Sequence, residues 1–190
     1  MSPYFQRLNL PDVIVFSLLK HRDSRGFLSE TYSKSLLTQA GVEFNFVQEN
    51  HVMSEKRGTI RGLHFQIPPF AQAKLVRVVR GAIFDVAVDI RQGSPTYGRH
   101  VSAVISAESW NQILVPVGFA HGLATLERKT EVLYKVSNVY SPEHERGVLW
   151  NDPALEIEWP LNAVVSSEKD RQQPLFTDLP TYFQYEGAQP

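Results

Sequence analysis

A succession of short β-branched, aromatic and alternating segments, most of them set apart by Gly or Pro breakers, constrains this chain more than any other feature. The segments are Phe46–Ser54, Thr59–Gln66, Lys74–Arg80, Ala82–Ile90, His100–Ser106, Gln112–Val117, Phe119–Glu127 and Val132–Tyr140. Residues of these types suit a pleated, half-buried surface. The breakers Arg57-Gly58, Pro68-Pro69, Gly81, Gly93-Ser94-Pro95 and Gly118 mark the turns. Strands in such number and order predict an all-β fold, a double-sheet jelly roll or a barrel.

Within Ala82–Ile90 the alternation carries information. Phe84, Val86, Val88 and Ile90 share one face, while Ile83, Asp85, Ala87 and Asp89 share the other. The apolar set reads as core, so the two aspartates must meet either water or a polar cavity. Before these strands lies an extension, residues 1–45, whose convincing helix is SKSLLTQAG, with Ser33 as cap and Gly41 as stop. After them, residues 141–190 form a Pro-rich excursion with two Trp, read as long connections with short helical pieces. The simplest account is a single domain over 1–190, with its β core at about 46–140 and the excursion packed back on it.

Composition narrows the chemistry. At 190 residues the chain can bury roughly 70% of its unfolded surface in one core. It has no cysteine, which rules out disulfides, thiolate metal sites and cysteine nucleophiles. Lys and Arg number 19 against 20 Asp and Glu, which lacks the basic excess of a nucleic-acid-binding protein. The first twenty residues show no secretory leader, and AIFDVAVDI is broken by aspartates, so no membrane span is expected. The reading is a soluble, cytoplasmic protein that works with His, Tyr, Lys, Arg and carboxylates.

Two segments concentrate those residues: RGTIRGLHFQIPPFAQAKLVRVVRG from residue 57 and VPVGFAHGLA from residue 115. Together they resemble the two halves of the cupin signature, in which a His-x-His pair, a carboxylate and a later His hold a metal. Pro116, Gly118 and His121 match the second half. In the first half His64 is followed by Gln66 rather than His, and Lys74 stands where the carboxylate belongs. An ammonium repels a divalent cation and cannot ligate it while protonated. The pocket is therefore expected to hold no metal. A Lys beside an imidazole suits oxyanion stabilisation combined with proton transfer.

DSRGFLSE, FVQEN, IRGLHFQ, AQAKLVRVVRG, DVAVDIRQGSPTYG, VPVGFAHG, YKVSNVY, WNDP and SSEKD occur in this order. On that ordered set, from about residue 12 to about residue 175, the chain resembles the dTDP-4-dehydrorhamnose 3,5-epimerase family. These are cofactor-free cupins of nucleotide-deoxysugar synthesis. The resemblance implies inversion of the carbons flanking the C4 ketone of a dTDP-4-keto-6-deoxyhexose. It implies His64 as base, Asp170 as the partner that orients it, and Tyr134 as the acid on the opposite face. Lys74, with His121, is implied to hold the enolate oxygen, and the facing pattern lets Asp85 orient His121. With no Gly-rich phosphate loop in the chain, Arg25, Arg61 and Lys169 are implied to take the diphosphate. Glu30, Gln48, Glu49, Asn50 and Glu145 match further binding positions, Glu49 standing where the family commonly has Asp.

Other readings stay open on sequence. A C3-only or C5-only epimerase differs in how well Tyr134 serves the second carbon. A metal-dependent cupin enzyme and a non-catalytic sugar-nucleotide module are also compatible with parts of the pattern. The resemblance further implies a homodimer paired through N-terminal strands, in which Arg25 and Glu30 serve either their own or the partner's pocket.

Overall fold

A computed structural model describes residues 4–160 and 164–187. The ends of the expected 1–190 domain, and residues 161–163 of the excursion, lie outside the described residues. In chain order the strands are β1 (Tyr4–Arg7), β2 (Ile14–Ser17), β3 (His21–Asp23), β4 (Gly26–Leu28), β5 (Gln48–Ser54), β6 (Ile60–Gln66), β7 (Lys74–Arg80) and β8 (Ala82–Asp89). There follow β9 (Arg91–Gln92), β10 (His100–Ser106), β11 (Asn111–Val115), β12 (Phe119–Thr125), β13 (Thr130–Val136), β14 (Glu145–Gly147) and β15 (Phe183–Gln184). The helices are α1 (Lys34–Gln39) and α2 (Glu168–Arg171), with short 3-10 turns in the excursion.

Two antiparallel sheets carry the fold. One has six strands in the order β1-β2-β11-β7-β13-β5, the other five in the order β10-β8-β12-β6-β14. Val76, Val78, Ile113 and Val132 from the first sheet meet Ile83, Ala87, Ile105 and Phe119 from the second in a shared core. This is the expected double-sheet jelly roll, cupin-like in form. All eight segments read from the sequence are strands. The short strands of the extension were not expected; β1 is exposed at every residue and so lacks the half-buried pattern that marks a strand. The expected helix is α1, with Ser33 at its N-cap position, although the Ser33 hydroxyl makes no capping bond.

The structure corrects the facing of β8. Both of its faces are buried, and the face bearing Ile83, Asp85 and Ala87 is the one that looks between the sheets. Val86, Val88 and Ile90 lie on the outside of the sandwich, packed with Leu155 and Phe183 and flanked by Trp159 and Phe176 of the excursion. The excursion thus supplies a second apolar layer, which is why β8 tolerates two aspartates inward. Asp89 is held by Arg91, Ser94 and Thr96. Burial pushes its carboxyl up, but those hydrogen bonds bring it below the usual carboxylate value. Leu37, Ala40 and Val42 cover the outer face of the six-stranded sheet in the same way. Among the described residues no helix is long and apolar enough to cross a membrane.

Candidate active site

The inward faces of both sheets diverge toward one end into a cavity of about 460 Å³, within the range of small-molecule sites. His64 of β6 and His121 of β12 line it from the five-stranded sheet, Lys74 of β7 and Tyr134 of β13 from the six-stranded one. His64 and Tyr134 therefore look into one space from opposite walls. A smaller recess of about 250 Å³ shares His64, Lys74 and Tyr134 and adds Gln48, Asn50, Tyr140 and Glu145.

Two imidazole–carboxylate pairs stand side by side, because His64 and His121 are direct cross-strand partners. His64 Nε2 lies 2.6 Å from Asp170 Oδ1, and His121 Nε2 lies 2.9 Å from Asp85 Oδ2. An ionised carboxylate only accepts, so each Nε2 carries a proton, and Nδ1 of each ring is clear of its carboxylate. Asp85 reaches His121 from the neighbouring strand. Asp170 arrives from α2, whose N-cap Ser167 accepts from the Asp170 backbone N–H at 3.1 Å. The segment before α2 is fastened to the start of β6 by a parallel bridge between Thr59 and Val165. Burial pushes the Asp170 carboxyl up, but the His64 hydrogen bond and charge, with Ser167 and Lys169, bring it below its ordinary value.

β6 is irregular where it matters. Leu123 pairs with Arg61 while His121 pairs with His64, so β6 carries one extra residue between them. That bulge lets Arg61 and His64, three residues apart, line the same cavity. Gly62 lies within it at φ 119°, and a Cβ there would meet the Gly122 Cα at 2.6 Å. Only glycine fits.

Lys74 Nζ crosses the cavity to donate to the His64 carbonyl at 3.2 Å. Burial brings its pKa down to about 8, against the pull of Asp85 and Glu145. Gln66, at the second His position of the cupin pattern, lines the smaller recess rather than the main cavity, and its amide is spent on the loop. Its amide nitrogen donates to the Phe70 and Val139 carbonyls, and its oxygen accepts from the Ser141 N–H. Among the described residues no three His, Asp or Glu side chains group in the manner of a metal cage.

At the mouth, Glu145 Oε2 accepts from Tyr140 Oη and from Lys169 Nζ, each at 2.6 Å. Burial raises the Glu145 carboxyl, yet Lys169 and Tyr140 bring it below its usual value. Arg61 donates to Ser54 Oγ and to the Met53 carbonyl. Tyr134 is half-buried; desolvation raises its phenol, opposed by Arg61 and the neighbouring Asn50 amide and reinforced by Glu145. Tyr140 was not singled out from the sequence. Its signal there is the aromatic that closes both the Val132–Tyr140 segment and the YKVSNVY motif.

Three of the expected site residues are not brought into the cavity by this chain. Arg25 sits in the exposed β3–β4 hairpin, paired with Asp23 at 2.6 Å, and Glu30 is exposed just beyond it. Glu49 points out of the sandwich and pairs with Lys135 at 2.6 Å. Strand alternation explains Glu49: Gln48 and Asn50 face inward, so the residue between them cannot.

A jelly roll with paired imidazoles, a phenol and a partly desolvated ammonium around one cavity defines a cupin-like protein equipped for acid–base chemistry. Comparison with known proteins narrows the class. Residues 7–178 match the family model for dTDP-4-dehydrorhamnose 3,5-epimerase. A relative of that name from Sinorhizobium fredii is 50% identical over 183 residues, covering 96% of this chain and 94% of its own. The enzyme of that name from Bacillus anthracis, solved with TDP and pyrophosphate bound, superposes with a TM-score of 0.88 at 46% identity, covering 92% of this chain and 99% of its own. A 3,5-epimerase from Legionella pneumophila, solved with dTDP-4-keto-L-rhamnose, gives a TM-score of 0.93 at 35% identity over 98% of this chain and 100% of its own. The chain belongs to the dTDP-4-dehydrorhamnose 3,5-epimerase family, whose members are isomerases.

Proposed function

We propose that this protein inverts C3 and C5 of a dTDP-4-keto-6-deoxyhexose. The observation that carries the reading is the placement of His64 and Tyr134 on opposite walls of one cavity, with Lys74 beside Tyr134 reaching across to the His64 carbonyl. His64 Nδ1 takes the proton from a carbon next to the C4 ketone. The C–H electron pair moves to the C4 oxygen, giving an enolate that the Lys74 ammonium holds, joined by His121 in its imidazolium form through Nδ1–H. Asp170 steadies the imidazolium so formed. Tyr134 then delivers its proton to the same carbon from the other face, inverting it, and solvent resets both groups before the second carbon reacts. The sequence of steps is redox-neutral, so no electron carrier is required.

Lys169 and Arg61 at the mouth suit a diphosphate, with Gln48, Asn50 and Glu145 around the adjoining recess. In this reading Arg25 and Glu30 complete the pocket of a second copy in a homodimer, since their own chain holds them outside the cavity. The reading also takes the chain as one cytoplasmic domain that needs no cofactor and engages neither nucleic acid nor membrane. Incubation with dTDP-4-keto-6-deoxyglucose in heavy water tests it by mass spectrometry. Two deuteriums per sugar are expected; one would assign a single epimerase, and none would sink both.

A further inference from the structure

Three glutamines clamp the loop that follows β13. Gln72 donates to the Asn138 carbonyl at 2.8 Å. Gln66 holds Val139 and Ser141, and Gln48 Oε1 accepts from the Tyr140 N–H at 3.1 Å. The last of these bonds has a direction that cannot be reversed, because a backbone N–H only donates. Gln48 must therefore present its NH₂ to its other neighbour, and Gln48 Nε2 lies 2.9 Å from Asn50 Oδ1. With Oδ1 turned to Gln48, the NH₂ is the opposite end of the Asn50 amide and the one left to offer onward. Its direct cross-strand partner on β13 is Tyr134, and both side chains line the same recess.

The geometry points to Asn50 as a positioning residue for the Tyr134 acid, its amide turned donor-side to the phenol oxygen by a relay that begins at the Tyr140 backbone. This rests on the acid–base reading above and adds what that reading leaves undetermined, namely how the phenol is held and tuned. A donor at the phenol oxygen stabilises the phenolate that remains once the proton has gone to carbon, and so strengthens the acid. Arg61 acts in the same sense, while Glu145 and burial oppose it. Lys74 and His64 also face the recess. Because the relay starts in the mouth loop, the state of that loop is felt at the reacting oxygen. Gln48 takes part without touching Tyr134.

Two uncharged variants test this. Asn50→Leu removes the donor at nearly constant size, and Gln48→Met frees Asn50 to turn its oxygen to the phenol. The Tyr134 phenol is titrated in the free protein as the ultraviolet difference from Tyr134→Phe, and kcat and KM are measured by deuterium incorporation. Both variants are expected to move the phenol upward, Asn50→Leu by about one pH unit with a fall of about tenfold in kcat, one hydrogen bond's free energy read twice. KM should change much less. An unmoved phenol titration in either variant, or an effect confined to KM, overturns the relay and leaves these side chains as substrate contacts. Failure of the unaltered protein to exchange with solvent would sink the epimerase reading alone, since the phenol titration needs no turnover.

Discussion

The two imidazole–carboxylate pairs are chemically alike, face each other across neighbouring strands, and are built in opposite ways. Asp85 reaches His121 within one sheet, with side-chain exposures of 0% and 9%. Asp170 reaches His64 across 106 residues of chain, from a four-residue helix, and leaves His64 26% exposed. The sheet ladder holds the first pair as rigidly as the core. The second exists only once the excursion has docked on the five-stranded sheet. A base must meet substrate and solvent to shed its proton, whereas a fixed electrostatic partner need not, and the difference in burial follows that division.

The largest expected break between the pairs is kinetic. His64→Ala should lower kcat by about 10²–10⁴-fold, the worth of a positioned general base, and near-normal turnover would remove His64 from the mechanism. Asp170→Asn should follow it, with a loss on the order of 10²-fold, since the imidazolium loses its counter-charge. In both variants the urea midpoint should fall, because a pair that contributes stability is broken, but by less than when the fully buried pair is dismantled.

Breaking the other pair should show up in stability. Asp85→Ala strands His121 in the interior and is expected to cost about 3 kcal/mol, within the range for dismantling a buried pair. A denaturant midpoint unchanged from the parent would show that His121 has relocated.

Lys74 reaches the His64 carbonyl from the opposite sheet, and pH separates its roles. With its pKa near 8, kcat should fall about tenfold per unit above that value as the ammonium is lost. Stability should move the other way. The folded chain binds fewer protons at Lys74 than the unfolded one between about 8 and 10.5, so its contribution rises with pH there. Asp170 has the acid-side counterpart: its lowered pKa contributes stability present above 3.8 and lost as pH falls through the folded value. Parallel pH profiles of kcat and stability above 8 would contradict the Lys74 assignment.

The smallest effect concerns how Asp170 is held. Ser167→Ala removes the cap on its backbone N–H and should cost about 1 kcal/mol locally. A few-fold fall in kcat with KM unchanged is expected. An equal loss in the stability of the whole fold would mean that α2 is no separate element.

Much of this was legible in the residues. The eight core strands follow from β-branched and aromatic content and Gly/Pro punctuation, and the helix at Lys34–Gln39 from its Ser33 start and Gly41 stop. β1, exposed throughout, and the three-residue β14 are held by pairing with neighbours rather than by any pattern of their own. His64, Lys74 and His121 were singled out by motif spacing, which is a local property, whereas Tyr134 was singled out only by the family resemblance; the fold brings all four to one cavity. Glu49 shows alternation applied too little: parity alone would have turned it outward from Gln48 and Asn50.

Strand content, the absence of thiol chemistry and the inventory of proton-handling side chains were determined by the sequence alone, because each depends on residue type and near neighbours. Only the tertiary structure decided which face of β8 is the interior. The reason is that the excursion supplies a second apolar layer, making both faces dry and leaving local hydrophobicity unable to tell them apart. It also decided that Gln66 fastens a loop and that Gln48 and Asn50 line up behind Tyr134. Hydrogen-bond direction is set by whichever donor lies opposite, and that donor is brought there by the fold.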